Sequence, residues 1–350
     1  MYTNKPEYFK QNVEHALSQP NLKAIIRRTT DKAEAKRAEA VANFPGFENA
    51  RLQGMKVKDH TIKYMDHYLA EFEKNAKAQG AIVHWASDGE QASRIVLDIC
   101  AQHEAKKVTR SKSMLGEEIG LGHALDNAGI DRVETDLAEH IIQLAGDPPS
   151  HIVWPAMHRS REDVVKLFRE FHKDPTSSVE IIELVRSARR DLRTKFLTAD
   201  IGISGSNFLL ADSGSTCTVT NEGNAELTTT PPKVHIVTAG IEKLVPSMAH
   251  AVPLLRLLTR SATGGEITQY LTFHNGPKRD GDADGPEEYH IVLVDNGRTR
   301  MLADGMEEML RCIRCGACMN HCVVYKHIGG HAYGSVYPGP MGSVLTPHLN

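Results

Sequence analysis

The sequence predicts an α/β protein with a largely parallel sheet, preceded by a helical arm and followed by a short cysteine-bearing segment. Three observations predict it. Helix formers of mixed charge dominate the chain up to about residue 72. From about Gly80 onward, short apolar runs alternate with amphipathic helices, the pattern that builds strand–helix–strand units. Beyond residue 300, four of the six cysteines crowd into one stretch. The expected units are residues 1–72, 73–300 and 301–350.

Within the arm, Asp31 to Asn43 is rich in Ala, Glu, Lys and Arg and reads as a helix, which Pro45-Gly46 ends. A second pattern runs from Lys58 to Glu73, where Ile62, Met65, Leu69 and Phe72 recur on one face. These pieces carry no catalytic signature and read as a packing or assembly arm. Ala81–Trp85 is the first expected strand. It is followed by a helix from Asp88 to Cys100 with Asp88 as its cap. Lys106–Arg110, Asp131–Thr135 and His151–Trp154 are further expected strands. A helix covers Val179–Leu197. Ile201–Thr220 reads as short strands broken by Gly, Asn and Asp, and Lys233–Thr238 and Tyr289–Val294 are β-rich. His274–Pro286 is polar and belongs on the surface, and Met301–Leu310 reads as a helix delivering the cysteines.

Those cysteines are Cys312-Ile-Arg-Cys315-Gly-Ala-Cys318-Met-Asn-His-Cys322, a C-x2-C-x2-C-x3-C run. Bacterial ferredoxins hold cubane iron–sulfur clusters with this spacing, because closely spaced thiolates wrap one cluster from a single loop. Gly316 and Ala317 let the backbone close in. Disulfides fit poorly, since adjacent C-x2-C pairs bridge badly, and structural zinc usually takes two separated pairs. Electron transfer is therefore the first functional expectation. Cys100 and Cys217 stand alone and read as small buried hydrophobes. In two-cluster ferredoxins the last cysteine of the run serves the other cluster, whose remaining ligands come from a second run. No second run exists here, and Val323 stands where the usual run has proline. Either the chain is cut short, or a partner completes the second cluster, or Cys322 closes its own. The ending, from Pro340 to Asn350, shows no capped helix or closing strand and favours the first.

The net charge of -3 argues against nucleic-acid binding by bulk electrostatics, and 41% hydrophobic content suffices for real cores. The N-terminus has no apolar leader, and no apolar run approaches a membrane span, so a cytoplasmic protein is expected. The 18 histidines show no metal-ligand spacing and read as surface or ordinary core residues. No Gly-x-Gly-x-x-Gly or Walker loop supports a nucleotide cofactor. Three loops stand out as candidate sites. Arg110–Glu118 follows a strand and opens a helix, where Lys112, Ser113 and free amides would suit a carboxylate or phosphate; Ser113 and Glu117 equally suit a capped, solvated loop. Gly205–Gly214, with Asn207 and Asp212, suits a pocket floor or plain turns, and Asn221-Glu222-Gly-Asn224 suits a turn or a placed carboxylate.

Lys112-Ser-Met, Glu134-Thr-Asp-Leu, Pro149-Ser-His-Ile-Val, Asn221-Glu-Gly-Asn, Asp295-Asn-Gly-Arg, the cysteine run and Ile328-Gly-Gly-His-Ala-Tyr-Gly occur together. In that order they resemble the LutB/LldF/YkgF family, iron–sulfur subunits of the bacterial L-lactate utilization system. The resemblance implies a lactate-utilization (LUD) domain of the ribose-5-phosphate isomerase/CoA-transferase-like class and an α-helical ferredoxin-like segment. It also implies two 4Fe-4S clusters in a full-length member, one of them from this chain, and a continuation beyond residue 350. LutA-like and LutC-like partners are implied in oxidising L-lactate to pyruvate, with an electron acceptor, and a place at the inner membrane reached only through partners. Val323, Ala138 and His140 depart from the residues expected there, which are Pro, Gly and Tyr.

Two functions of different classes follow. In one, the chain is an electron-transfer subunit with Cys312, Cys315, Cys318 and Cys322 as ligands. In the other, the central domain binds or transforms a small acid, with Glu222, Lys112 and Glu118 as catalytic candidates and Lys112, Ser113, Asn207, Asp212, Asn221 and Glu222 around the ligand. The catalytic role of Glu222 rests on fold analogy with CoA transferases. A scaffold stapled by its cluster is the plainest alternative.

Overall fold

A computed structural model describes residues 5–349. The first four residues, on which the leader reading partly rests, and Asn350 lie outside it. Ten strands occur among the described residues: β1 Ile82–Ala86, β2 Lys107–Arg110, β3 Asp131–Glu134, β4 Ile201–Gly205, β5 Phe208–Leu210, β6 Ser215–Thr220, β7 Val234–Gly240, β8 Leu244–Val245, β9 Tyr270–His274 and β10 Glu288–Val294. Six form one sheet in the order β1-β10-β7-β4-β2-β3, with every pairing parallel. Helices cover both faces, so the central strands read as continuous apolar runs, and β7 is buried at every position. A four-stranded sheet, β8-β5-β6-β9, stands beside it.

The expected strand–helix alternation is largely present. Asp88 caps the helix Gly89–Gln102 by accepting a hydrogen bond from the Gln91 amide at 2.8 Å. The Lys58–Glu73 pattern divides into helices Phe47–Lys63 and Met65–Ala78 at Tyr64, yet Ile62, Met65, Leu69 and Phe72 all stay buried across the break. Leu22–Ala42 is the longest helix of the arm. Cys100 and Cys217 are buried free thiols, pushed up by burial to about 11 and about 12.

Two expectations are corrected. His151–Trp154 is not a strand: the His151 ring accepts hydrogen bonds at Nδ1 from the Val153 and Trp154 amides, at 3.0 and 3.2 Å, and turns the chain instead. Met301–Leu310 is not one helix. Arg298–Ala303 ends before Gly305, whose φ of +70° breaks it, and a 3-10 turn, Glu307–Arg311, leads into the cysteines. The region between β7 and β10 also holds more structure than its sequence announces, including β9 and the helix Met248–Thr263, which carries Pro253 in its interior.

Candidate functional site

The C-x2-C-x2-C-x3-C segment folds as an open loop followed by the short helix Ala317–His321. Arg314 and Gly316 both adopt left-handed backbone, at φ +59° and +77°, which curls the chain around its own sulfurs. Backbone amides point at those sulfurs: the Arg314 amide donates to Cys312 Sγ at 3.4 Å and the Tyr325 amide to Cys322 Sγ at 3.5 Å. All four cysteines are free and half-buried. Burial pushes the Cys315 thiol up to about 11, against a backbone bond from Ala317, and it raises Cys318 as well. Four unbridged thiols in the ferredoxin spacing, with backbone amides on their sulfurs, are the donor set of a thiolate-held cubane, so these residues fit one.

This loop docks on the segment that failed to form a strand. A Cβ on Gly316 would stand 3.0 Å from Val153 Cγ2, and His151 Nε2 lies 3.2 Å from Asn320 Oδ1. The Tyr325 hydroxyl donates to the Ser150 carbonyl at 2.7 Å. From the arm, Asp31 and Glu34 hold Lys326 at 2.9 and 2.8 Å.

A cavity of about 310 Å³ opens at the carboxyl ends of β4 and β7, where open α/β sheets place their ligands. Its walls bring together the Lys112–Ser113 loop, Asn207 and the Asn221–Glu222 turn, three stretches distant in sequence. Lys112 Nζ donates to the Val153 carbonyl at 2.7 Å. Glu222 still reaches solvent, but protein crowds its other sides. Burial and the neighbouring Asp136 push its carboxyl up to about 7, against the Leu137 amide and Lys112. Ser113 caps its helix by accepting from the Gly116 amide at 3.2 Å, so the capping role and the wall position coincide. Asn207 Oδ1 accepts from the Val219 amide, and Asn221 Oδ1 accepts from the Gln269 amide, so both brace the turns that form the wall.

The remaining sequence candidates lie elsewhere. Asp212 is exposed in the β5–β6 turn, with its amide on the Pro246 carbonyl, and does not line the cavity. Glu118 sits behind the wall. It accepts from Asn296 at 2.8 Å, from Arg298 at 2.8 and 3.0 Å, and from the Tyr337 hydroxyl at 2.6 Å. Burial would raise its pKa, but Arg298 and these donors outweigh that and hold it below the ordinary carboxylate range.

Sequence reading missed the residues that join the cavity to the cysteines. Arg314, inside the C-x2-C pair, lines the cavity together with Glu242, Lys243, Arg298 and Tyr337. Glu242 is buried and bonded to Arg298, with Arg314 at 3.6 Å. The Lys243 ammonium makes no hydrogen bond or salt bridge among the described residues, and burial lowers it to about 8. Lys58, from the arm, is buried, donates to the Glu242 carbonyl and is likewise lowered by burial to about 8. Lys58, Lys243 and Arg314 all lie within electrostatic reach of Cys312. The one available signal was positional: Gly240-Ile-Glu-Lys243 follows directly on a β-rich run.

A parallel α/β core with a cavity at its strand ends, walled by a cubane-type cysteine loop, defines an iron–sulfur protein built on a LUD domain. Family models agree: the LUD domain matches residues 69–294 and the 4Fe-4S dicluster domain residues 308–349. Lactate utilization protein B of Bacillus subtilis (strain 168) is 42% identical over 342 residues, covering 97% of this chain and 71% of that protein. Lactate utilization protein B of Shouchella clausii (strain KSM-K16) is 43% identical over 342 residues, covering 97% and 72%. The "uncharacterized electron transport protein YkgF" of Escherichia coli (strain K12) is 42% identical over 343 residues, with the same coverage. A DUF162 family protein of Deinococcus radiodurans is matched in structure at a TM-score of 0.37 and 11% identity, over 66% of this chain and 98% of that one. The chain belongs to the lactate utilization protein B/YkgF family, and it is a lactate-utilization iron–sulfur protein.

Proposed function

We propose that this chain is the electron-transfer subunit of a complex that oxidises L-lactate to pyruvate, with Cys312, Cys315, Cys318 and Cys322 as ligands of 4Fe-4S clusters. One observation carries the reading: Arg314, between Cys312 and Cys315, also lines the cavity, so the cysteine loop and the cavity share a residue. A cubane held there supplies one-electron oxidation and reduction and no hydride chemistry. Removal of a hydride from lactate is therefore assigned to a LutA-like or LutC-like partner, and a separate electron acceptor takes the electrons that the clusters pass on. Lys58, Lys243 and Arg314 place buried positive charge beside Cys312, which offsets the negative charge of thiolates gathered on iron. No helix among the described residues is long and apolar enough to cross a membrane, in keeping with action in the cytoplasm or at a membrane only through partners.

A second reading has its own support. The cavity offers the Lys243 ammonium, the Lys112 loop and a Glu222 carboxyl that is half protonated near neutral pH, a set suited to binding a small carboxylate. In that case the domain is a small-acid module that the cluster serves.

The two separate by experiment. Anaerobically purified protein, co-expressed with its gene neighbours, is expected to contain iron and acid-labile sulfide and to give a reduced-cubane EPR signal. Cys315→Ser should abolish that signal and lactate-driven electron flow while leaving lactate binding intact. Zinc at this place, or no reducible centre, ends the relay reading. Glu222→Gln or Lys243→Met should change L-lactate binding by calorimetry under the second reading only.

A further inference from the structure

Two groups of metal-ligating side chains assemble away from the cysteines among the described residues: His140, His172 and Asp191, and His103, Glu288 and His290. In the first, the Lys195 ammonium lies 2.6 Å from the Asp191 carboxylate and already supplies its positive partner. The second has no such occupant. Glu288 and His290 stand two residues apart at the start of β10, so both side chains project from one face of the sheet. His103 follows the helix Gly89–Gln102, which packs on that same face. Glu288 Oε2 is 3.2 Å from His103 Nε2 and 3.2 Å from His290 Nε2. Donor atoms each about 2.1 Å from one ion stand about 3.0 to 3.4 Å apart, so the group is already near ligation geometry.

We infer that His103, Glu288 and His290 form a binding site for a divalent transition-metal ion of the zinc type, at the end of the sheet opposite the cavity. Two imidazoles and one carboxylate are a known three-ligand set for such ions, with the remaining positions left to water or an added ligand. The outer contact is in place as well: His290 Nδ1 lies 3.0 Å from His84 Nε2, across the β1–β10 pairing. With the proton of that hydrogen bond on His290 Nδ1, Nε2 of His290 is left to the metal. Without metal, both Nε2 atoms lie within hydrogen-bond reach of Glu288; on ligation the ring proton of His103 and of His290 is carried on Nδ1, so neither ring loses a proton. His103 and Glu288 are partly exposed, which gives the ion a path in. The site bridges residues 185 positions apart, which is why no spacing in the sequence announces it.

The test uses anaerobic, cluster-loaded protein passed over chelating resin and titrated with Zn²⁺. One equivalent should bind, with a zinc K-edge spectrum showing nitrogen and oxygen neighbours only, and with iron and sulfide content unchanged. His103→Gln should abolish that equivalent. His84→Ala should weaken binding about 10- to 100-fold. Should His103→Gln fail to fold, Glu288→Gln, which keeps both imidazoles in hydrogen-bond reach, serves as the diagnostic variant. No stoichiometric zinc, a sulfur-containing shell, or binding that survives both variants overturns the site.

Discussion

Glu222, on the cavity wall, and Glu118, behind it, are two carboxylates with opposite surroundings. Glu222 faces Asp136 and the cavity, and burial with that like charge raises it to about 7. Its folded value lies above its unfolded one, so its contribution to stability is complete below about pH 4.5 and is lost as pH rises through about 7. The same proton governs binding. Affinity of the cavity for a small carboxylate should fall as pH rises through neutrality, because an ionised Glu222 repels the ligand, and in calorimetric titrations from pH 6 to pH 8 Glu222→Gln should leave only the loss near pH 8 that follows Lys243. Glu118 instead ties Arg298 and Tyr337 together in the interior. Glu118→Ala strips buried Arg298 of one of its two carboxylates, leaving Glu242 as the other, and should cost about 1–3 kcal/mol in urea unfolding. Both glutamates were visible in the sequence as carboxylates near glycine and serine, yet their environments were not. A pKa depends on neighbours contributed by remote strands, and no local pattern encodes those.

At the scale of elements, the cysteine loop and the 148–155 segment hold each other. Gly330, in the Ile328-Gly-Gly-His motif, lies so close to the Ser150 carbonyl that a Cβ there would come within 1.9 Å of its oxygen. Gly330→Ala must move backbone against backbone, and it should destabilise by about 1–3 kcal/mol or more. Iron content per chain measured after purification should fall with it, since the loop loses the surface it docks on. Gly202, on β4, meets the Thr228 carbonyl in the same manner, so the helix Asn224–Thr229 sits directly on the sheet. Strands with continuous apolar runs and a cap at Asp88 were legible because those signals are local. His151–Trp154 misled because its apolar run is real, while the imidazole that captures its amides acts through tertiary burial.

At the scale of the whole molecule, the helical arm reaches both functional centres. Lys58 lies beneath Glu242, and Asp31 and Glu34 grip Lys326 just beyond the cysteine run. The surface pairs to Lys326 are each worth no more than about 1 kcal/mol, so apolar packing of Ile26 beside Gly329 and of Phe72 in the main core is the stronger tie. Lys58→Met, which keeps the length and removes the charge, should lower the midpoint potential of the reduced-cubane signal in an EPR redox titration, with the iron content unchanged. A chain lacking residues 5–42 should lose cluster iron on anaerobic purification even with all four cysteines present. The sequence by itself determined the α/β class, most of the strands and the identity of the redox loop, because periodicity, capping and cysteine spacing are short-range signals that survive without a fold. Only the tertiary structure decided that Arg314 and Lys243 face one cavity, that Glu118 is an anchor, and that distant histidines meet. Those facts depend on which remote segments the parallel sheet brings to the same edge, and burial then sets their charge.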